Sequence, residues 1–190
     1  MKIGIIGAGQ VGSALGKGWA EAGHIVSFGV RDQGKYEDLI KLANISVKSI
    51  DDVTKTHDVI VLAIPGRVAG KLIPKLGDLK NKLVVDATNM FGMQKMMELA
   101  PEANFVKAFN HIGFEIMANP RFGDERAVLL ICGNDKASLD TVSTMAIDLG
   151  FNPVIIGDAT LASDLEQFAL LWIRMSRKIG RNFAFKILQK

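Results

Sequence analysis

The chain has one cysteine and one tyrosine in 190 residues, and each shortage closes off a class of chemistry. Cys132 cannot form an internal disulfide, and its place in the apolar run AVLLIC marks it as a buried strand residue in a reducing cytoplasm. With Tyr36 as the sole tyrosine there is no Tyr-x-x-x-Lys pair to serve a carbonyl reduction. The three histidines show no metal-ligand spacing, and no Ser/His/Asp set presents itself. His24 and His57 precede strands and read as surface or turn residues. No apolar run approaches the roughly 20 residues that span a bilayer. The first residues already read as a strand with no basic leader, so a cytoplasmic protein without a membrane span is expected. A net charge of +3, with acids among the bases, is too weak and mixed to argue for nucleic acid.

What is present is an alternation. The apolar, β-branched runs KIGIIG, HIVSFGV, DVIVLAI, KLVVDAT, NFVKAFN, AVLLICG and NPVIIGD are separated by stretches of helical periodicity. Continuous apolar strands are those buried on both faces, so the expected fold is α/β, a Rossmann-type doubly wound parallel sheet. Helices are expected over residues 10–22, 35–43, 67–76, 136–149 and 162–188. Asp135 is placed to cap a helix start, and Gly23 and Gly150 to close helix ends. Ser49, Asp51 and Asp52 read as the first turn of a short helix. A soft boundary divides a dinucleotide-binding domain, residues 1–110, from a small C-terminal α/β portion, residues 111–190, that ends in a long helix.

Gly7, Gly9 and Gly12 follow the first strand and open the first helix, the context in which G-x-G-x-x-G carries meaning. The pattern predicts a tight turn at Gly7, close backbone approach to a pyrophosphate at Gly9 and tight helix packing at Gly12, with Ala8, Gln10 and Val11 completing the loop. At the end of the second strand, FGVRDQGK, Gly29 stands where NAD-binding chains place a carboxylate. Arg31 follows, then Lys35, beside Val30. A guanidinium fork suits a 2′-phosphate, so NADP is expected over NAD; the alternative is Arg31 as a solvated loop charge, with Asp32 able to neutralise it.

Further strand ends lie on the same edge. Ile64 and Pro65 in AIPGRVAG either wall a ligand crevice or merely turn into a helix, and Arg67 adds charge to the mouth. Asn89 in DATNM, and Asn110, His111 and Ile112 in FNHIG, either surround a nicotinamide or answer turn chemistry alone. His111 is the one histidine on this edge and a weak candidate general acid. Without a proton donor, hydride transfer between two bound cofactors is the expected chemistry. In the last helix, Leu165, Phe168, Trp172, Met175, Ile179 and Phe183 form an apolar stripe that packs on the sheet or on a second subunit, and a homodimer is expected. Arg174, Arg177, Lys178 and Arg181 form a basic stripe, either solvated or facing an anionic cofactor tail or membrane surface.

The segments IGIIGAGQVGSALG, FGVRD, DVIVLAIP, VVDATN, VKAFNHIG, DLGFNPVIIGDA and FALLWI, in that order, resemble the NADP oxidoreductases that depend on the deazaflavin coenzyme F-420. The same fold is similar to the cytoplasmic domain of the six-transmembrane metalloreductases. The resemblance implies hydride exchange between NADP(H) and the deazaflavin, with Arg31 and Lys35 on the 2′-phosphate and residues 110–113 around the nicotinamide. Val30 stands where the family commonly has Ser or Thr, and NHIGF departs from its usual Asn-Thr-Ile-Pro-Ala, which opens the acceptor to FMN or FAD as well. Two other readings stand beside it: a non-catalytic NADP-binding sensor or docking module, and a small imine or ketone reductase.

Overall fold

The computed structural model describes residues 1–90 and 92–190, and the backbone alone of Glu37. Strand β1 (Lys2–Ile6) leads into helix α1 (Gln10–Glu21) and returns as β2 (Ile25–Val30). A 3-10 turn, Gln33–Tyr36, and the short α2 (Glu37–Ile40) precede β3 (Ile45–Ser49), α3 (Ile50–Thr56) and β4 (Val59–Leu62). Then come α4 (Gly66–Leu72), β5 (Leu83–Asp86), α5 (Met93–Leu99) and β6 (Asn104–Lys107). Beyond them lie α6 (Phe114–Ala118), the hairpin β7 (Arg121–Phe122) and β8 (Glu125–Arg126), then β9 (Val128–Gly133), α7 (Lys136–Asp148), β10 (Asn152–Gly157) and α8 (Ala162–Ile179).

Eight strands form one sheet in the order β10-β9-β6-β5-β4-β1-β2-β3. Six of them, read from β3 inward, follow the 3-2-1-4-5-6 order of a dinucleotide-binding sheet, all parallel. β9 joins β6 antiparallel and β10 then runs parallel to β9, so the sheet is mostly rather than wholly parallel. An antiparallel neighbour begins beyond the edge where β6 ends, so no crossover helix is needed between them.

Because the inner strands are covered on both faces, successive side chains feed opposite cores. Ile3, Ile5, Trp19, Phe28, Phe109 and Phe151 belong to one apolar cluster, and Ile6, Ile60, Leu62, Val84 and Phe105 to the other. Trp19 is fully buried, and its indole N–H donates to the Met145 carbonyl at 2.9 Å, so the polar end of the largest side chain is satisfied inside the core.

Several expectations are corrected. The helix expected over 35–43 is a 3-10 turn and one helical turn, because the chain enters an edge strand at Ile45. That strand, ISVKS, alternates apolar with polar and escapes a search for apolar runs. The helix expected over 162–188 stops at Ile179, where Gly180 takes φ +83°. The remaining residues fold back: Phe183 stacks on Trp172 at 5.3 Å, and Phe185 packs at a tilt against Phe168 at 4.7 Å. Phe183 thus packs on the helix rather than continuing its stripe. His24 and His57 are buried, not surface residues: His24 bonds the Asp148 carboxylate at 2.8 Å and the His57 ring the Val53 carbonyl at 3.0 Å. Cys132 is buried as expected, and burial pushes its thiol up to about 11, where it stays protonated. Among the described residues no helix is long and apolar enough to cross a membrane, and no group of three or more His, Cys, Asp or Glu could hold a metal ion.

Candidate functional site

The strand order reverses between β1 and β4, and their connections leave to opposite sides, which opens a crevice at the C-terminal edge. The three glycines do different things there. Gly7 has φ +104°, and a Cβ on it would lie 2.6 Å from the Ala63 carbonyl oxygen, so both conformation and space demand glycine. A Cβ on Gly12 would lie 2.1 Å from the Gly7 carbonyl oxygen, so α1 can pack this close only without a side chain. A Cβ on Gly9 would meet nothing within 4 Å: this glycine faces the open crevice.

No side chain caps α1, and Ser13, the nearest hydroxyl, is spent on the Ala8 carbonyl at 3.1 Å. The first-turn N–H groups therefore remain for a ligand, and the positive helix end favours an anion. Gly12→Ala should lose about 2 kcal/mol of stability or more, since a clash with backbone puts overpacking at the upper end of about 1–3 kcal/mol and the helix recovers about 1 kcal/mol from alanine. A urea midpoint at or above that of the wild type would contradict the packing argument.

Across the crevice, β4 and β5 leave through Ala63–Arg67 and Ala87–Met90. Together with Gly9, Gln10 and Val11 these segments line a cleft of about 550 Å³, a size usual for cofactor and ligand sites. Its walls are largely apolar, and Arg67 is the one ionisable side chain among the described lining residues. A smaller hollow of about 220 Å³, between Ile73–Lys80 and Leu99–Ala103, lies at the opposite edge, before β5 and β6, away from the glycine loop.

On the other side of the loop, β2 ends against β1, with Ile6 opposite Gly29. A Cβ on Gly29 would lie 2.8 Å from Ile6 Cδ1 and 3.2 Å from Ile50 Cα, so a carboxylate where NAD-binding chains carry one would need Ile6 to turn and Ile50 to give way. Val30 is buried, Arg31 is exposed, and Asp32 pairs with Lys35 at 3.3 Å rather than with Arg31.

The expected site residues thus fall into groups. Gly9, Gln10, Val11, Ile64, Pro65 and Asn89 share the cleft; Gly7, Ala8 and Gly12 shape the loop beneath it; Val30, Arg31 and Lys35 lie along the same edge beyond it. Asn110, His111 and Ile112 are buried and are not among the cleft-lining residues. The Asn110 amide donates to Asn89 Oδ1 at 3.1 Å and to the Leu165 carbonyl at 3.0 Å, and Asn89 Nδ2 donates to the Asn110 carbonyl at 2.9 Å. Asn110 therefore braces Asn89 and ties α8 to the rim.

His111 Nε2 accepts the Leu130 backbone N–H at 3.3 Å, and its ring packs 5.6 Å from Phe168. Burial without a charged partner pushes its pKa from 6.5 down to about 4, which suits a neutral structural ring. Because the unfolded chain then binds the proton first, this group's stabilising effect is complete above about pH 6.5, falls away between about 6.5 and 4, and is flat below. Between pH 7.5 and 5 it should remove about 2 kcal/mol of stability. Urea unfolding at the two pH values should show that extra loss in the wild type and not in His111→Gln.

Beneath the rim lies a feature that inspection of the chain for motifs passes over. Asp86 and Lys107 end adjacent central strands in direct register, and both are fully buried. Lys107 Nζ donates to Asp86 Oδ2 at 2.7 Å, to the Thr88 carbonyl at 2.8 Å and to Glu166 Oε1 at 3.0 Å, while Thr88 N–H donates to Asp86 Oδ1 at 2.9 Å. The available signal was an acid and a base, each inside an otherwise apolar strand run, which neither would tolerate unpaired. Arg67 lines the mouth as expected, and Ala63, Gly66, Ala87, Thr88 and Met90 complete the lining beyond the expected residues.

Against known proteins, a family model described as NADP oxidoreductase coenzyme F420-dependent matches residues 2–90. The solved structure of a protein of Arthrobacter sp. FB24, assigned as an F420-dependent NADP-reductase, aligns with TM-score 0.91 and 27% identity over 100% of both chains. Metalloreductase STEAP3 of Rattus norvegicus is 28% identical over 181 residues, 89% of this chain and 36% of the relative. The 2-hydroxy-3-oxopropionate reductase of Escherichia coli is 27% identical over 169 residues, 83% of this chain and 55% of the relative. The chain therefore spans between about a third and about half of the length of these curated relatives.

Proposed function

We infer, for a chain that belongs through residues 2–90 to the family of coenzyme F420-dependent NADP oxidoreductases, that it holds NADP(H) along the C-terminal edge of the sheet and exchanges hydride with a deazaflavin or flavin. The residues present fit such a cofactor. Uncapped N–H groups at Gln10 and Val11 suit the pyrophosphate, with Gly9 leaving room for close approach. Arg31, supported by Lys35 beside Val30, takes the 2′-phosphate, and the packed Gly29 leaves no carboxylate to repel it. Along the strand order β2, β1, β4, β5 the nicotinamide end then falls over Ile64, Pro65 and Asn89, with Asn110, His111 and Ile112 bracing that rim from behind.

The observation that carries this reading is the cleft's want of acid-base groups. Reducing a carbonyl calls for a proton donor beside the nicotinamide, but among the described lining residues only Arg67 ionises, and His111 is buried and neutral. Hydride passing between two rings draws its chemistry from the bound cofactors. The chain's part is then to hold the two rings in register and keep water from between them, using the apolar walls of Val11, Ala63, Ile64, Pro65 and Ala87. We assign the cofactor to residues 1–110, read residues 111–190 as the portion that buttresses the rim, and place the protein in the cytoplasm as a homodimer.

Calorimetric titration with NADPH and NADH, followed by NADPH absorbance after adding the deazaflavin coenzyme, FMN or FAD separately, tests the reading. Tight NADPH binding with oxidation by one acceptor is expected. Tight binding with no turnover by any of them would favour a sensor or docking module, and turnover of a cyclic imine would favour an imine reductase.

A further inference from the structure

The buried cluster under the cleft carries more charge than a fastening needs. An ammonium has three hydrogens, and each of those on Lys107 meets one oxygen, from Asp86, Thr88 and Glu166. Both carboxylates only accept, so the cluster holds one positive and two negative charges, a net charge of −1. One carboxylate would have balanced the lysine. The second, Glu166, comes from α8 with its side chain 15% exposed, and brings an uncompensated negative charge beneath the strand end whose Thr88 and Asn89 line the cleft.

The strand order says which part of a dinucleotide would feel that charge. Arg31 follows β2 and the glycine loop follows β1, so the nicotinamide end lies toward β4 and β5, above Asp86. A dihydronicotinamide is neutral and becomes a cation when its hydride, two electrons and one proton nucleus, passes to the acceptor ring. A negative charge below it favours the oxidised form.

We propose that the Asp86–Lys107–Glu166 cluster is an electrostatic floor for the cleft, which binds the cationic oxidised nicotinamide preferentially over the neutral reduced one and so makes bound NADPH a stronger hydride donor. The inference rests on the cleft being the NADP(H) site. Glu166 acts in it as a positioning charge and touches neither ring.

Glu166→Gln is the test, since it keeps an oxygen for Lys107 while removing one charge. The ratio of the dissociation constant of NADP⁺ to that of NADPH should rise roughly 4- to 15-fold, the factor Coulomb's law gives for one charge on the order of 10 Å away at an effective dielectric of about 20–40. Affinity for 2′-phospho-ADP-ribose, which has no nicotinamide, should stay unchanged, and Glu166→Asp should keep the wild-type ratio. Equal weakening of NADP⁺, NADPH and the ringless fragment would reduce Glu166 to a structural clamp and overturn the proposal, as would an unmoved ratio. Failure of the wild type to bind either nucleotide would instead overturn the functional reading beneath it.

Discussion

Lys107→Met is expected to lower the free energy of unfolding by about 3–5 kcal/mol, the range for breaking a buried ion pair by deleting one partner. The loss comes chiefly from Asp86. Its side chain is fully buried and would keep only the Thr88 N–H, whereas Glu166, partly exposed, can turn toward water. Methionine fills much of the lysine stem's volume, so cavity formation contributes little. The double variant Asp86→Leu/Lys107→Met should recover part of the loss, because the fully buried Asp86 charge is gone, while the Thr88 N–H and Glu166 still lack the partners they had. Urea denaturation of the two variants separates the explanations: if Lys107→Met costs under about 1 kcal/mol, or the double variant is the less stable, the cluster is not held together by charge.

Arg31→Ala is expected to weaken NADPH binding by roughly 10- to 150-fold, about 1.5–3 kcal/mol for a lost hydrogen bond to a charged group, and to leave NADH nearly untouched. Lys35→Ala should have a smaller effect, because Lys35 already answers Asp32 across 3.3 Å and both side chains are exposed. The pairing also removes an objection visible in the chain itself, that Asp32 would neutralise Arg31. Calorimetric titration of both variants with both nucleotides checks the assignment, and an equal effect of Arg31→Ala on NADPH and NADH would move the 2′-phosphate site elsewhere.

Much of the cofactor-facing half was legible before any coordinates. The apolar runs around β1, β2, β4, β5, β6 and β9 announced themselves because strands covered on both faces are largely apolar, and the half-exposed edge strand β10 shared the pattern. The edge strand β3 did not, since ISVKS interrupts its apolar residues with Ser and Lys and buries only Ile45. Gly7 and Gly12 could be recognised from spacing because the positive φ at Gly7 and the contact of Gly12 with the Gly7 carbonyl are local, whereas the crowding of Gly7 by Ala63 required β4. Gly29 could be seen only as a missing acid, and that Ile6 and Ile50 crowd the position required the neighbouring elements. His111 shows the opposite limit. It stands on the right edge in sequence, but the direction of its ring, turned toward Leu130 and Phe168, is set by elements that follow it in the chain.

By itself the amino-acid sequence determined the sheet-and-helix alternation and the glycine loop, and it raised the expectation of a phosphorylated nucleotide, because each depends on residues near one another along the chain. Only the tertiary structure decided that Asp86, Lys107 and Glu166 share one buried site, that Asn110 braces Asn89 and Leu165, and that the C-terminal residues leave the helix at Gly180 to cover its aromatic face. Those contacts join residues up to 59 positions apart, from Lys107 to Glu166, and what selects them is the cost of burying a charge or an amide without a partner, which no local pattern records.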